Sequence, residues 1–188
     1  VYTEALYPGF VPDGAWAEGT SYHAVTLRHL SQWCETLEIA TGKDYGYWDL
    51  PGMDRTAYYG DALSGAGGVF NYGDNTETRS NYAGQAWFAK KFKDSGLAQL
   101  RYNNLQENAF APTLYDLIMT RPEMLGGTSD MAPDILYKNM NLVSMRTSWA
   151  NNTEGFFLAA KGGENGASHF HYDCLLYTSP SPRDRQKS

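Results

Sequence analysis

Apolar positions in the first two thirds of the chain recur at helical spacing, and in the last third they alternate. Leu27, Leu30, Cys34 and Leu37 predict a helix from Thr20 or Ser21 to Ala40, capped by one of those hydroxyls and stopped by Gly42. A second helix is expected from Pro51 through Met53, Ala57, Tyr58 and Leu63, ended by Gly65, Gly67 and Gly68. Val69-Phe70-Asn71-Tyr72-Gly73-Asp74 is a short apolar piece closing in a turn. Tyr82–Phe92 predicts a third helix whose closing lysines, Lys90, Lys91 and Lys93, suit the negative end of its dipole. Shorter helical pieces follow at 96–105 and 112–119.

The period then changes. Val143, Met145, Thr147 and Trp149 alternate with Leu142, Ser144, Arg146 and Ser148, a strand pattern, and 155–161 predicts a second, more buried strand after an Asn151-Asn152 turn. His169-Phe170-His171-Tyr172-Asp173 would be a third. Its spacing sends His169, His171 and Asp173 to one face, after the glycine-rich approach Lys161-Gly-Gly-Glu-Asn-Gly166. Helices followed by antiparallel strands give an α + β chain in two domains with a boundary near Pro133: 1–133, then 134–173. Cys174–Ser188 turns abruptly into a basic Ser/Pro string and reads as a non-native tail. With Val1 in place of methionine at the start, the chain reads as a fragment.

Composition narrows the partners. The formal net charge is −6, and without 174–188 twelve basic residues face twenty acidic ones, a net of −8. That balance argues against nucleic acid as partner, and any acidic substrate must be held by local positive groups. No apolar run reaches the ~18 residues of a membrane span. Aromatic residues make up 14% of the chain, which suits a sugar-stacking cleft and a large core equally. Cys34 is a lone cysteine on a helix face and reads as a small core residue.

Two motifs carry the candidate chemistry. Pro12-Asp-Gly-Ala-Trp-Ala-Glu-Gly-Thr-Ser-Tyr-His23 opens the first helix, and Met145-Arg-Thr-Ser-Trp149 is followed by Lys161-Gly-Gly-Glu-Asn-Gly-Ala-Ser-His-Phe-His-Tyr-Asp173. Together with the helix-to-strand order, they resemble the heparinase II/III-like polysaccharide lyases over about residues 1–173. The resemblance implies the end of an α/α toroid and the first strands of an antiparallel β-sandwich. It also implies periplasmic or secreted proteins that cleave uronic-acid polysaccharides by β-elimination. Such a site must neutralise the uronate carboxylate, remove the C5 proton and protonate the leaving oxygen.

By the same resemblance Tyr22 matches the catalytic tyrosine, which can donate as a phenol and accept as a phenolate. His169 matches a histidine that neutralises the carboxylate or acts as base. His171 matches one ligand of a structural zinc, whose remaining ligands would lie beyond Asp173. Glu18 either orients Tyr22 or a sugar hydroxyl or simply suits a helix start. Arg146 either contacts a substrate carboxylate or is an exposed strand arginine, the commoner case. His23 and His29 read as packing or surface residues, Asp74 as a turn former, and Asp173 as support for the histidine strand. The family's Asn-His pair on an earlier helix would lie before Val1. The fragment itself is expected to be inactive. The alternatives are a homologue that only binds acidic glycans, and a toroid hydrolase, which would need two opposed carboxylates that are not recognisable here.

Overall fold

The computed structural model describes residues 9–65, 68–107, 110–149 and 155–163. Over these the chain is mixed helix and sheet, with a short hairpin among the helices and a three-stranded sheet after them. Helix α1 spans Thr20–Thr41 and buries His23, Ala24, Leu27, Leu30, Ser31 and Cys34 along one face. It ends at Gly42, whose left-handed φ of 67° lets its N–H reach the Glu38 carbonyl. The expected hydroxyl cap is replaced. The N-cap residue is Gly19, and the Asn75 carboxamide oxygen, brought in from a distant loop, accepts from the Ser21 N–H at 2.9 Å and the Thr20 hydroxyl at 3.2 Å.

The helix expected from Pro51 is shorter than its pattern. Residues 51–55 are turns, a 3-10 turn covers Thr56–Tyr58, and α2 is only Tyr59–Ala62. Gly52, at φ 85°, sits against Gly14 with no room for a side chain, and that contact holds the segment in turns. A two-stranded hairpin follows, β1 (Ser64–Gly65) with β2 (Gly68–Val69). Helices α3 (Gln85–Phe92), α4 (Ser95–Glu107) and α5 (Leu114–Met119) match the remaining helical patterns within a few residues. Thr113 caps α5 in a reciprocal capping box with Asp116.

The sheet is an antiparallel meander of β3 (Asp134–Tyr137), β4 (Leu142–Arg146) and β5 (Phe157–Lys161). Strand β3 escaped the sequence reading because four residues carry too little alternation to register. The expected third strand with its histidines lies outside the described residues, as do 174–188. In β4 the inward set is Leu142, Ser144 and Arg146, while Val143 and Met145 are only partly covered. The face that looks more polar in sequence therefore packs inward.

One core cluster joins α1 to α3 and α4 through Leu27, Leu30, Trp48, Trp87, Phe88 and Leu97, with Trp48 and Trp87 ring centroids 4.5 Å apart. A second joins helical part to sheet through Tyr59, Leu63, Phe70, Tyr137, Leu142 and Ala159. Gly65 lies so close to Phe157 of β5 that a Cβ there would stand 2.5 Å from the ring's base. Among the described residues, no helix is long and apolar enough to cross a membrane.

Candidate functional site

The first motif forms a pinned loop. Asp13 Oδ2 accepts the Lys138 N–H at 2.6 Å, fastening the loop to the β3–β4 turn. The Trp16 carbonyl accepts from the hydroxyls of Tyr59 at 2.9 Å and Tyr72 at 2.8 Å. Glu18, half-buried, directly precedes the Gly19 cap, and Tyr22, also half-buried, stands in the first turn of α1. With the helix start held by Asn75, Tyr22 projects from backbone fixed at both the loop and the helix.

His23, one residue on, points the other way. It is fully buried, with Nε2 2.9 Å from Thr56 Oγ1 and Nδ1 3.2 Å from the Tyr82 hydroxyl. Thr56 gives its own hydroxyl proton to the Gly14 carbonyl and Tyr82 gives its to the Thr20 carbonyl, so both ring nitrogens of His23 face hydroxyl oxygens whose protons point elsewhere. Burial pushes the imidazole pKa down to about 3, and the ring stays neutral as a packing element between Trp16, Phe10 and Tyr59. The sequence allowed packing or surface for this residue, and packing is correct. His29 is exposed.

The tyrosines separate by environment. Tyr58, Tyr59, Tyr72, Tyr82 and Tyr137 are buried and their phenols are pushed well above the usual value, chiefly by desolvation. Such groups remain protonated and serve as hydrogen-bond anchors. Tyr45 and Tyr102 are exposed, and Tyr22 is half-buried at the head of α1.

Arg146 corrects the expectation of an exposed strand arginine: it is 7% exposed. Its Nη2 donates to the carbonyls of Asp61 (2.7 Å), Ala62 (2.9 Å) and Ser64 (2.9 Å), closing the C-terminal end of α2. Its guanidinium also lies 3.9 Å from the Trp149 ring centroid. Burial draws its pKa down to about 10 against the opposing pull of Asp61. With Nη2 spent on three carbonyls, any contact to a substrate carboxylate would have to come from the rest of the group.

Around Asp61 the structure gathers residues that the sequence did not single out. Asp61 accepts from Gln85 Nε2 at 2.6 Å and Asn104 Nδ2 at 2.7 Å, and Arg79 Nη1 lies 3.7 Å from it while donating to Asn104 Oδ1 at 3.0 Å. Arg101, 2% exposed, makes a two-point pair with Asp116 at 2.8 and 2.9 Å and also donates to Asn81. A clue existed: Arg101 and Asn104 interrupt the apolar face begun by Leu97 and Leu100, and such an interruption in a helix marks a buried polar pair.

His169 and His171 lie outside the described residues, as does Asp173. Among the described residues no group of three or more His, Cys, Asp or Glu could hold a metal ion. The buried Cys34 is a free thiol whose pKa burial raises to about 12, so it offers no thiolate. No protein-family model matches the chain, and none of the curated proteins matches it.

Proposed function

We propose that the protein is a polysaccharide lyase that cleaves a uronic-acid-containing chain by β-elimination, with Tyr22 as its proton-transferring residue. In this reading the helical part is the end of an α/α toroid, the strands begin a β-sandwich, and the acidic polysaccharide lies against the start of α1. The observation that carries the reading is the contrast at the head of α1. Tyr22 keeps part of its surface open on a doubly pinned helix start, whereas Tyr59 and Tyr82 are buried. Proton transfer needs a group that is rigidly held and also reaches substrate.

His169 completes the site in this proposal by facing the uronate carboxylate or by taking the C5 proton. His171 would supply one ligand to a structural zinc, whose role is to order the sandwich and whose other ligands are not among the described residues. Glu18 sits close enough along the chain to orient Tyr22 or a sugar hydroxyl. A periplasmic or secreted setting follows from the same resemblance.

The test is to incubate the protein with heparan sulfate, alginate and hyaluronan, following absorbance in the near ultraviolet. A C4–C5 unsaturated product supports the lyase. New reducing ends without that absorbance would make it a hydrolase. Binding with neither would make it a non-catalytic acidic-glycan-binding protein.

A further inference from the structure

An open cavity of about 660 Å³ lies at the C-terminal end of α1, lined by Glu38, Gly42, Lys43, Asp44, Tyr45 and Lys91. It stands about 30 Å along the helix from Tyr22. We propose that this cavity is a binding site for a neutral sugar unit of a glycan chain, stacked on the Tyr45 ring. It is independent of the lyase reading, since Tyr22 has no part in it.

Three observations carry it. The first is the ring. Tyr45 is 52% exposed, and its backbone is left-handed at φ 55°, a conformation that a bulky side chain rarely takes. Gly46, also left-handed, follows it, and the Asp44 carboxylate accepts the Gly46 N–H at 3.1 Å to close the turn. The turn sets Tyr45 at the cavity wall, with the buried Tyr47 behind it and their ring centroids 6.4 Å apart. Glycine would suit this position better, so the ring stands there against the preference of the backbone.

The second is a polar wall that is held in place. Glu38 Oε1 accepts from the Trp48 indole N–H at 2.7 Å and from the Lys91 ammonium, and Lys91 lies 5.1 Å from the Trp48 ring centroid. Acceptor and donor are thus oriented before any guest arrives. The third is charge. Lys43 and Lys91 balance Glu38 and Asp44, so the lining has no net charge to favour a phosphate, a carboxylate or a polyamine. One aromatic face beside matched donors and acceptors fits a pyranose, which has an apolar C–H face and a rim of hydroxyls. An apolar peptide side chain would instead meet one ring and four charged groups, whose desolvation opposes its burial. The volume lies in the range of small-ligand sites.

The probes are cellohexaose, xylohexaose, laminarihexaose and mannohexaose, added to the 188-residue chain and followed by saturation-transfer NMR. Saturation should reach the ring C–H protons of at least one of them. Tyr45→Gly should weaken that binding at least about tenfold with no fall in thermal midpoint, because glycine relieves the left-handed turn. Should the glycine variant fail to fold, Tyr45→Asn removes the ring and still tolerates the turn. Tyr22→Ala should leave the binding intact. No transfer to any of the four sugars, or equal binding by the Tyr45 variant, would overturn the proposal. Loss of binding in folded Tyr22→Ala would also overturn it, by placing the sugar at the head of α1. Tighter binding of an oligouronate of the same length at this cavity would do so too, by showing that a carboxylate is what it selects.

Discussion

Arg146 Nη2 donates to the Asp61 carbonyl at 2.7 Å, joining a strand arginine expected to be exposed to a helix end 85 positions earlier in the chain. The same nitrogen serves Ala62 and Ser64, so one side chain closes α2 and anchors the sheet to the helices. Replacing it by alanine leaves three carbonyls without this donor and removes the Trp149 stack. Arg146→Ala is expected to destabilise the chain by about 3–5 kcal/mol, and Arg146→Lys by less, since an ammonium reaches fewer of the carbonyls. Urea unfolding monitored by circular dichroism measures both.

Acid lability should trace partly to His23. Its folded pKa of about 3 lies below the unfolded value of 6.5, so below pH 6.5 the unfolded state takes up a proton that the folded state refuses. Stability from this residue is therefore fully present above pH 6.5 and falls as pH drops from 6.5 towards 3, by up to about 5 kcal/mol. His23→Gln should flatten the stability profile between pH 6 and 4, at some cost in packing at neutral pH. Parallel pH–stability curves for the two proteins would show that the ring titrates the same way in both states.

The start of α1 depends on a cap supplied from outside the helix. Asn75→Ala removes the acceptor for the Ser21 N–H and the Thr20 hydroxyl. A loss of about 1–2 kcal/mol is expected, with faster amide hydrogen exchange confined to the first turn of α1. Asn75→Asp should keep most of the stability, because a carboxylate accepts the same bonds and suits the positive helix end.

Gly60 packs face-on against Tyr82, where an added Cβ would stand 2.2 Å from the ring. Gly60→Ala should therefore cost about 1–3 kcal/mol, although alanine is the better helix former. An unchanged thermal midpoint would show that Tyr82 can withdraw without losing its bond to the Thr20 carbonyl.

Much of the fold was legible because it rests on period. The α1 face of Leu27, Leu30 and Cys34, the Gly42 stop and the switch to alternation at Leu142 all appear as expected. What was not legible depends on partners distant in sequence. Met53, Ala57 and Tyr58 look helical, but the Gly14–Gly52 approach holds the preceding segment in turns, and nothing local announces it. Arg146 looks solvent-facing because its alternation with Met145 is read without the carbonyls of Asp61, Ala62 and Ser64. Asn75 gives no local sign that it caps a helix more than fifty residues earlier. The Tyr22 end of the candidate site was readable as a motif, whereas the Arg79–Arg101–Asp61 cluster arises only when the 70–84 segment folds onto α4.

The lyase reading stands or falls on Tyr22. Tyr22→Phe keeps the ring and removes only the hydroxyl. The near-ultraviolet rate on the preferred uronate polysaccharide should fall at least about 100-fold, with polysaccharide binding and thermal midpoint nearly unchanged. Full formation of the unsaturated product by Tyr22→Phe would contradict the account.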